Sequence, residues 1–252
     1  ALANAKLGAA HGLAAPLGGL LGAPHGAVTA AVMAAVSRAN LAELAAEGTE
    51  VHLAMETIAE MREPWNVFAE TEGGDPENVV MAGAHLDSVV DGAGINDNGS
   101  GSGAILEVAE QMKKVKPKNK VRFAWWGAEE NGLLGSWHYV EDLYANDPDA
   151  LEDIAMYLNF DMVGSPNYGL FVYDGDNSRW PADDTIPAGP EGSGEIEQLF
   201  HDFFASQGLP SEETVFSGRS DYQGFIAAGI PSGGLFTGAE GVKTEAQAEA
   251  WG

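Results

Sequence analysis

Asn78-Val-Val-Met-Ala-Gly-Ala-His-Leu-Asp-Ser88 is a continuous apolar run that breaks abruptly into polar residues. A half-solvated strand alternates apolar and polar residues, whereas a strand buried on both faces reads as an unbroken apolar stretch. A second run, Lys120-Val-Arg-Phe-Ala-Trp-Trp126, ends the same way on Gly-Ala-Glu-Glu130, and the two read as central strands. Further strands are expected at residues 50–54, 66–70, 154–160, 169–172 and 232–236. Residues 100–114, 133–144 and 195–207 carry apolar side chains at three- and four-residue spacing and read as helices. Alternation of this kind predicts an α/β domain with a mixed, mostly parallel sheet covered by helices on both faces. The Gly-, Pro- and Asp-rich residues 174–194 read as a long surface loop. With no internal repeat and no linker, residues 1–252 read as a single domain.

Composition narrows the function. Twelve basic against 38 acidic residues give a net charge of −26 over 252 residues. Nucleic acid and anionic membranes are excluded as partners, since binding either relies on clustered Lys and Arg. No cysteine is present, so any metal must be held by His, Asp and Glu. Residues 1–48 are an atypical Ala/Gly-rich region in which a helix is expected over 27–46, stopped by Gly48. Pro16, Pro24 and six glycines interrupt the uncharged part of this region, which argues against a spanning helix or a signal peptide.

Ligands bind open α/β sheets at the carboxyl ends of the strands. Four polar clusters stand there. His85 and Asp87, two apart on an extended chain, point to the same side, and the Asp can orient the ring. The loop Gly92-Ala-Gly-Ile-Asn-Asp-Asn-Gly-Ser-Gly-Ser-Gly103 is no phosphate cradle, because no Lys-Ser/Thr follows the glycines. Asn at the first position and an intruding apolar helix make it a poor EF-hand. It leaves Asp97 as a candidate ligand beside closely approaching backbone. Glu129 and Glu130 end the second central strand and face opposite ways, so one can bind metal while the other acts as a base. Asp161 ends another apolar strand, where burial is costly without a cation or donors.

The segments Val80–Val89, Gly94–Gly103, Arg122–Glu130 and Tyr157–Ser165, with Gly218-Arg-Ser-Asp221 and Gly233-Gly-Leu-Phe-Thr-Gly238, resemble the secreted double-zinc aminopeptidases of the Streptomyces type and the related bacterial leucyl aminopeptidases. The resemblance implies a phosphorylase/hydrolase-like α/β/α fold and a hydrolase that releases N-terminal residues, preferably large and hydrophobic, from peptides. It implies two zinc ions: His85 and Asp161 on the first, Glu130 on the second, and Asp97 bridging them. Glu129 would be the general base, with Asp87 counted beside it in the catalytic set, and Arg219 and Phe236 would bind substrate. It further implies a peptide partner with a free N-terminus, a monomer and a secreted location. The family's fifth ligand, a His preceded by Tyr, lies beyond the counterpart of Gly252. One well-held zinc is therefore expected, and the alternative is an inactive or weakly active relative that keeps the fold. His138 and His201 read as helix-face residues. A serine hydrolase is disfavoured, because no Gly-x-Ser-x-Gly occurs.

Overall fold

The computed structural model describes residues 61–90, 92–239 and 241–252. The expected helix over 27–46 and strand over 50–54, with the rest of the Ala/Gly-rich region, lie outside the described residues. In chain order the elements are β1 (Val67–Glu70), β2 (Asp75–His85), an irregular turn (Ile95–Ser100), α1 (Gly101–Met112), β3 (Asn119–Trp126), α2 (Leu134–Asn146), α3 (Pro148–Glu152) and β4 (Ile154–Phe160). There follow β5 (Phe171–Tyr173), α4 (Ser193–Ser206), β6 (Glu212–Thr214), α5 (Tyr222–Ala227), β7 (Ser232–Phe236) and α6 (Glu245–Trp251).

The strands form one seven-stranded sheet in the order β1-β3-β2-β4-β7-β5-β6. Strands β3, β2, β4 and β7 run parallel, while β1 on β3 and β5 on β7 are antiparallel. The sheet is thus the mixed, mostly parallel one expected, with both apolar runs inside it. Parallel neighbours bring the ends of β2, β3 and β4 to the same edge. Among the described residues no helix is long and apolar enough to cross a membrane.

Beneath that edge the core is aromatic. Trp126, Tyr157 and Phe225 are buried, and the Tyr157 and Phe225 rings stack with centroids 3.9 Å apart. A buried Tyr or Trp needs a partner for its polar atom. Trp126 Nε1–H donates to Tyr157 Oη at 2.8 Å, and Tyr157 O–H donates to Asn159 Oδ1 at 3.1 Å. Gly83 of β2 passes beneath this pair, and a Cβ there would overlap Tyr157 Oη and Trp126 Nε1. Glycine in the middle of an otherwise apolar strand is therefore a packing requirement.

Four short elements, α3, β6, α5 and α6, were not expected from periodicity. Five to seven residues of helix, or three of strand, carry too little pattern, and long-range contacts define them. β6 exists as a strand through pairing of Phe171–Tyr173 with Glu212–Thr214. α6 is closed by a capping box between Thr244 and Gln247, and Trp251 anchors it against Phe171, with Nε1–H donating to Pro210 O at 3.0 Å. The strand expected at 169–172 begins at Phe171 for the same reason: its bounds follow its partners β7 and β6. The loop after β5 is held by Asp174, whose carboxylate accepts the N–H groups of Ser178, Arg179 and Trp180 at 3.0, 3.2 and 2.8 Å.

Candidate metal centre

His85 closes β2 and is 1% exposed. Its Nδ1 lies 3.0 Å from the carbonyl oxygen of Asp87, which suits an Nδ1–H donor and leaves Nε2 with a lone pair. That Nε2 stands 3.0 Å from Asp97 Oδ1 and 3.1 Å from Asp161 Oδ1. A lone pair facing two carboxylate oxygens is unfavourable unless a proton or a metal ion lies among them. Burial by itself would depress the basicity of His85, but the carboxylates of Asp161, Asp87 and Asp97 outweigh it and hold the pKa far above its usual value. An imidazole nitrogen with a carboxylate oxygen of Asp97 and one of Asp161 beside it is a donor set suited to zinc, and Glu129 completes a trio with His85 and Asp161 whose ligand atoms all lie within 4.8 Å of one another. The residues fit the ion.

Each ligand candidate has its own support. Asp161 follows β4, and its Oδ2 accepts the Ser220 hydroxyl at 2.6 Å. Asn159 Nδ2–H donates in turn to Ser220 Oγ at 2.9 Å, so a buried chain runs from Trp126 through Tyr157, Asn159 and Ser220 to Asp161. Such outer contacts fix ligand orientation and charge. Asp97 lies in the turn Ile95–Ser100 with extended torsions (φ −107°, ψ 94°) that interrupt its helical geometry. The polar residues of the glycine-dense loop stitch it to the chain after β4. Asn98 Nδ2–H donates to Phe160 O at 3.0 Å, Gly164 N–H to Asn96 Oδ1 at 3.0 Å, and Val163 N–H to Ser100 Oγ at 3.0 Å. Gly101 is required there, since a Cβ would collide with Phe160 O.

Asp87 does a different job from the one its spacing suggested. Its carboxylate is 3.6 Å from His85 Nδ1, and the carbonyl takes the ring N–H instead. The carboxylate accepts the backbone N–H groups of Glu129 at 3.0 Å and Glu130 at 3.2 Å, tying the ends of β2 and β3 together. The Asp87 pKa is lowered: burial opposes this, but His85 and those two N–H groups favour the charged form.

Glu129 is 8% exposed and groups with His85 and Asp161, their ligand atoms all lying within 4.8 Å of one another. Burial pushes its carboxyl up to about 9, with Asp221, Asp161 and Glu130 adding to the effect and His85 opposing it. Glu130 is half-buried, and its Oε1 accepts Val89 N–H at 3.1 Å. Burial and the nearby Asp97 raise its pKa too. Asp221, at the start of α5, is fully buried without a well-formed hydrogen bond to either oxygen, and burial pushes it up to about 7. Nothing in sequence spacing distinguishes Asp221 or Asn159, because both act by packing against the centre from separate elements.

Arg219 and Phe236 line a cavity of about 410 Å³ with Phe171, Trp180, Glu212 and Glu213. The cavity wall connects to the centre through Thr237, which follows Phe236. Thr237 N–H donates to the carbonyl of Met162, the residue after Asp161, at 2.9 Å.

Comparison with known proteins places this arrangement among relatives. Residues 66–251 match the model of peptidase family M28. An aminopeptidase of Pseudomonas aeruginosa is 55% identical over 203 residues, which cover 81% of this chain and 36% of that protein. Leucine aminopeptidase 2 of Trichophyton equinum is 54% identical over 214 residues, 84% of this chain and 42% of that protein. Among solved structures, a zinc aminopeptidase from Bacillus subtilis superposes with a TM-score of 0.57 at 29% identity, over 73% of this chain and 44% of that one. The chain thus spans 36% and 42% of the length of those two curated relatives.

Proposed function

The chain belongs to peptidase family M28, and on that premise we propose that it carries the catalytic centre of a zinc-dependent aminopeptidase. The observation that carries the reading is that Asp97 Oδ1 and Asp161 Oδ1 both lie within 3.1 Å of His85 Nε2, with Glu129 grouped beside His85 and Asp161. His85, Asp97 and Asp161 would hold the first zinc, with Asp97 and Glu130 serving a second. Zinc bound there supplies Lewis acidity, polarising a carbonyl and acidifying water. A cation also favours the ionised form of Glu129, which burial otherwise keeps protonated. Ionised Glu129 accepts the proton of the attacking water and passes it to the departing amine.

We read the first position as the tighter. Zinc there meets two carboxylates and an imidazole, a neutral total, whereas Glu130 is half-buried and already accepts Val89 N–H. The substrate proposed is a peptide with a free N-terminus, whose ammonium group suits a surrounding of carboxylates. Secretion and a monomeric state belong to the proposal through the resemblance to secreted enzymes. A large apolar first residue belongs to the proposal through the same resemblance, with Phe171, Trp180 and Phe236 as the apolar part of a cavity that also carries Arg179, Glu212, Glu213 and Lys243. The test is hydrolysis of leucine p-nitroanilide against its N-acetylated form, with zinc and with chelator. The proposal expects cleavage of the free-amine substrate alone, and only with zinc. Equal cleavage of the blocked substrate would rule out an exopeptidase.

A further inference from the structure

A second group of metal-competent side chains lies at the far edge of the sheet, where α4 packs near β6. Glu197 and His201 are four apart on α4 and so share a helix face, and β6 supplies Glu213. One oxygen or ring nitrogen from each of the three lies within 4.8 Å of the other two.

His201 is the informative member. Its Nδ1 is 2.8 Å from Ser211 Oγ, while its Nε2 is buried and has no hydrogen-bond partner. The nearest acid, Glu197 Oε1, is 3.8 Å away, beyond hydrogen-bond range. A buried imidazole nitrogen left in this state is unfavourable, yet two carboxylates stand close enough to share an ion with it. Glu197 is itself oriented: its Oε2 accepts Gly175 N–H at 2.8 Å and Asp176 N–H at 3.3 Å, with Oε1 turned toward His201. Ser211 Oγ can accept an Nδ1–H, and in that tautomer Nε2 presents its lone pair inward, as in metal sites where the outer ring nitrogen is held by a neighbour.

Glu197 also lies near Asp174 and Asp176. That side is a poorer site, because the Asp174 oxygens are occupied by three backbone N–H groups and Asp176 is exposed. The cation belongs on the histidine side.

We propose that Glu197, His201 and Glu213 form a second divalent-cation site, of the zinc class, that clamps α4 to the edge strand β6. An imidazole with two carboxylates is a zinc-type donor set, and its charge of −2 balances the ion. It shares no residue with the strand-end centre, and its zinc content is read without reference to peptidase activity, although Glu213 also lines the cavity beside Arg219.

Zinc content per chain, measured by plasma mass spectrometry at one fixed free zinc concentration, tests the site in the wild type, His201→Gln and Glu213→Gln. His201→Gln is expected to hold one zinc fewer than the wild type. Glu213→Gln is expected to lose that zinc or bind it at least about tenfold more weakly, as read by chelator competition. Circular dichroism checks folding, and if His201→Gln does not fold, the partly exposed Glu213→Gln decides alone. Equal zinc content and affinity in wild type and folded variants would overturn the proposal.

Discussion

The Ser220 hydroxyl donates to Asp161 Oδ2 at 2.6 Å, and Asn159 and Tyr157 extend that bond to Trp126 in the core. The Asp161 oxygen that faces His85 Nε2 is thereby aimed by the packing of the sheet. Ser220→Ala removes the donor and leaves Asp161 free to rotate. Zinc affinity, measured by chelator competition, should fall about 10- to 100-fold. Unchanged affinity would mean that Asp161 is held without the chain of hydrogen bonds.

Gly83 lies under the Trp126–Tyr157 hydrogen bond with no space for a methyl group. Gly83→Ala should cost roughly 1–3 kcal/mol in urea-induced unfolding, the usual penalty for overfilling a packed core. The fluorescence of the displaced Trp126 provides a second readout.

Asp87 holds the backbone at Glu129 and Glu130 without touching the converging ligand atoms through its carboxylate. Asp87→Ala should lower kcat for leucine p-nitroanilide by about 10- to 100-fold while leaving KM little changed, since its effect is on the alignment of Glu129. A rise in KM at constant kcat would contradict that role.

Metal-free protein should lose stability as pH rises. Glu129 is raised to about 9 and Asp221 to about 7, each above the ordinary carboxylate range, and His85 is raised above its ordinary value of 6.5. In each case the folded state keeps a proton that the unfolded chain releases at lower pH. For the two acids stability falls from the usual carboxylate range up to about 7 and about 9, and for His85 it falls above 6.5. Tm in chelator should therefore drop steadily from pH 6 to pH 9, and saturating zinc should flatten that slope. A metal-free Tm that rises over this interval would count against the buried acids at the centre.

Much of this was legible in the sequence for a physical reason. Apolar strands that end on His85, Glu129 and Asp161 mark the carboxyl edge of a parallel sheet, and parallel pairing brings those ends together. Asp97 stood out once the phosphate-cradle and EF-hand readings of its glycine-dense loop fell away, and it lies 3.0 Å from His85 Nε2. Asn96, Asn98 and Ser100 were not, as their partners at residues 160–165 are more than sixty positions away. The chain from Trp126 to Ser220 was hidden likewise, spread over β3, β4 and the segment before α5. His201 looked like any helix-face histidine, and only its buried, unpartnered Nε2 sets it apart.

Glu129 is proposed as the proton-transfer group of a zinc aminopeptidase. Its most direct test is the hydrolysis of leucine p-nitroanilide by the zinc-loaded chain, wild type against Glu129→Ala, with zinc content measured on both. In the variant kcat should fall about 10²- to 10⁴-fold while the zinc proposed at His85, Asp97 and Asp161 stays bound. Equal turnover by the two proteins at equal zinc content would contradict it.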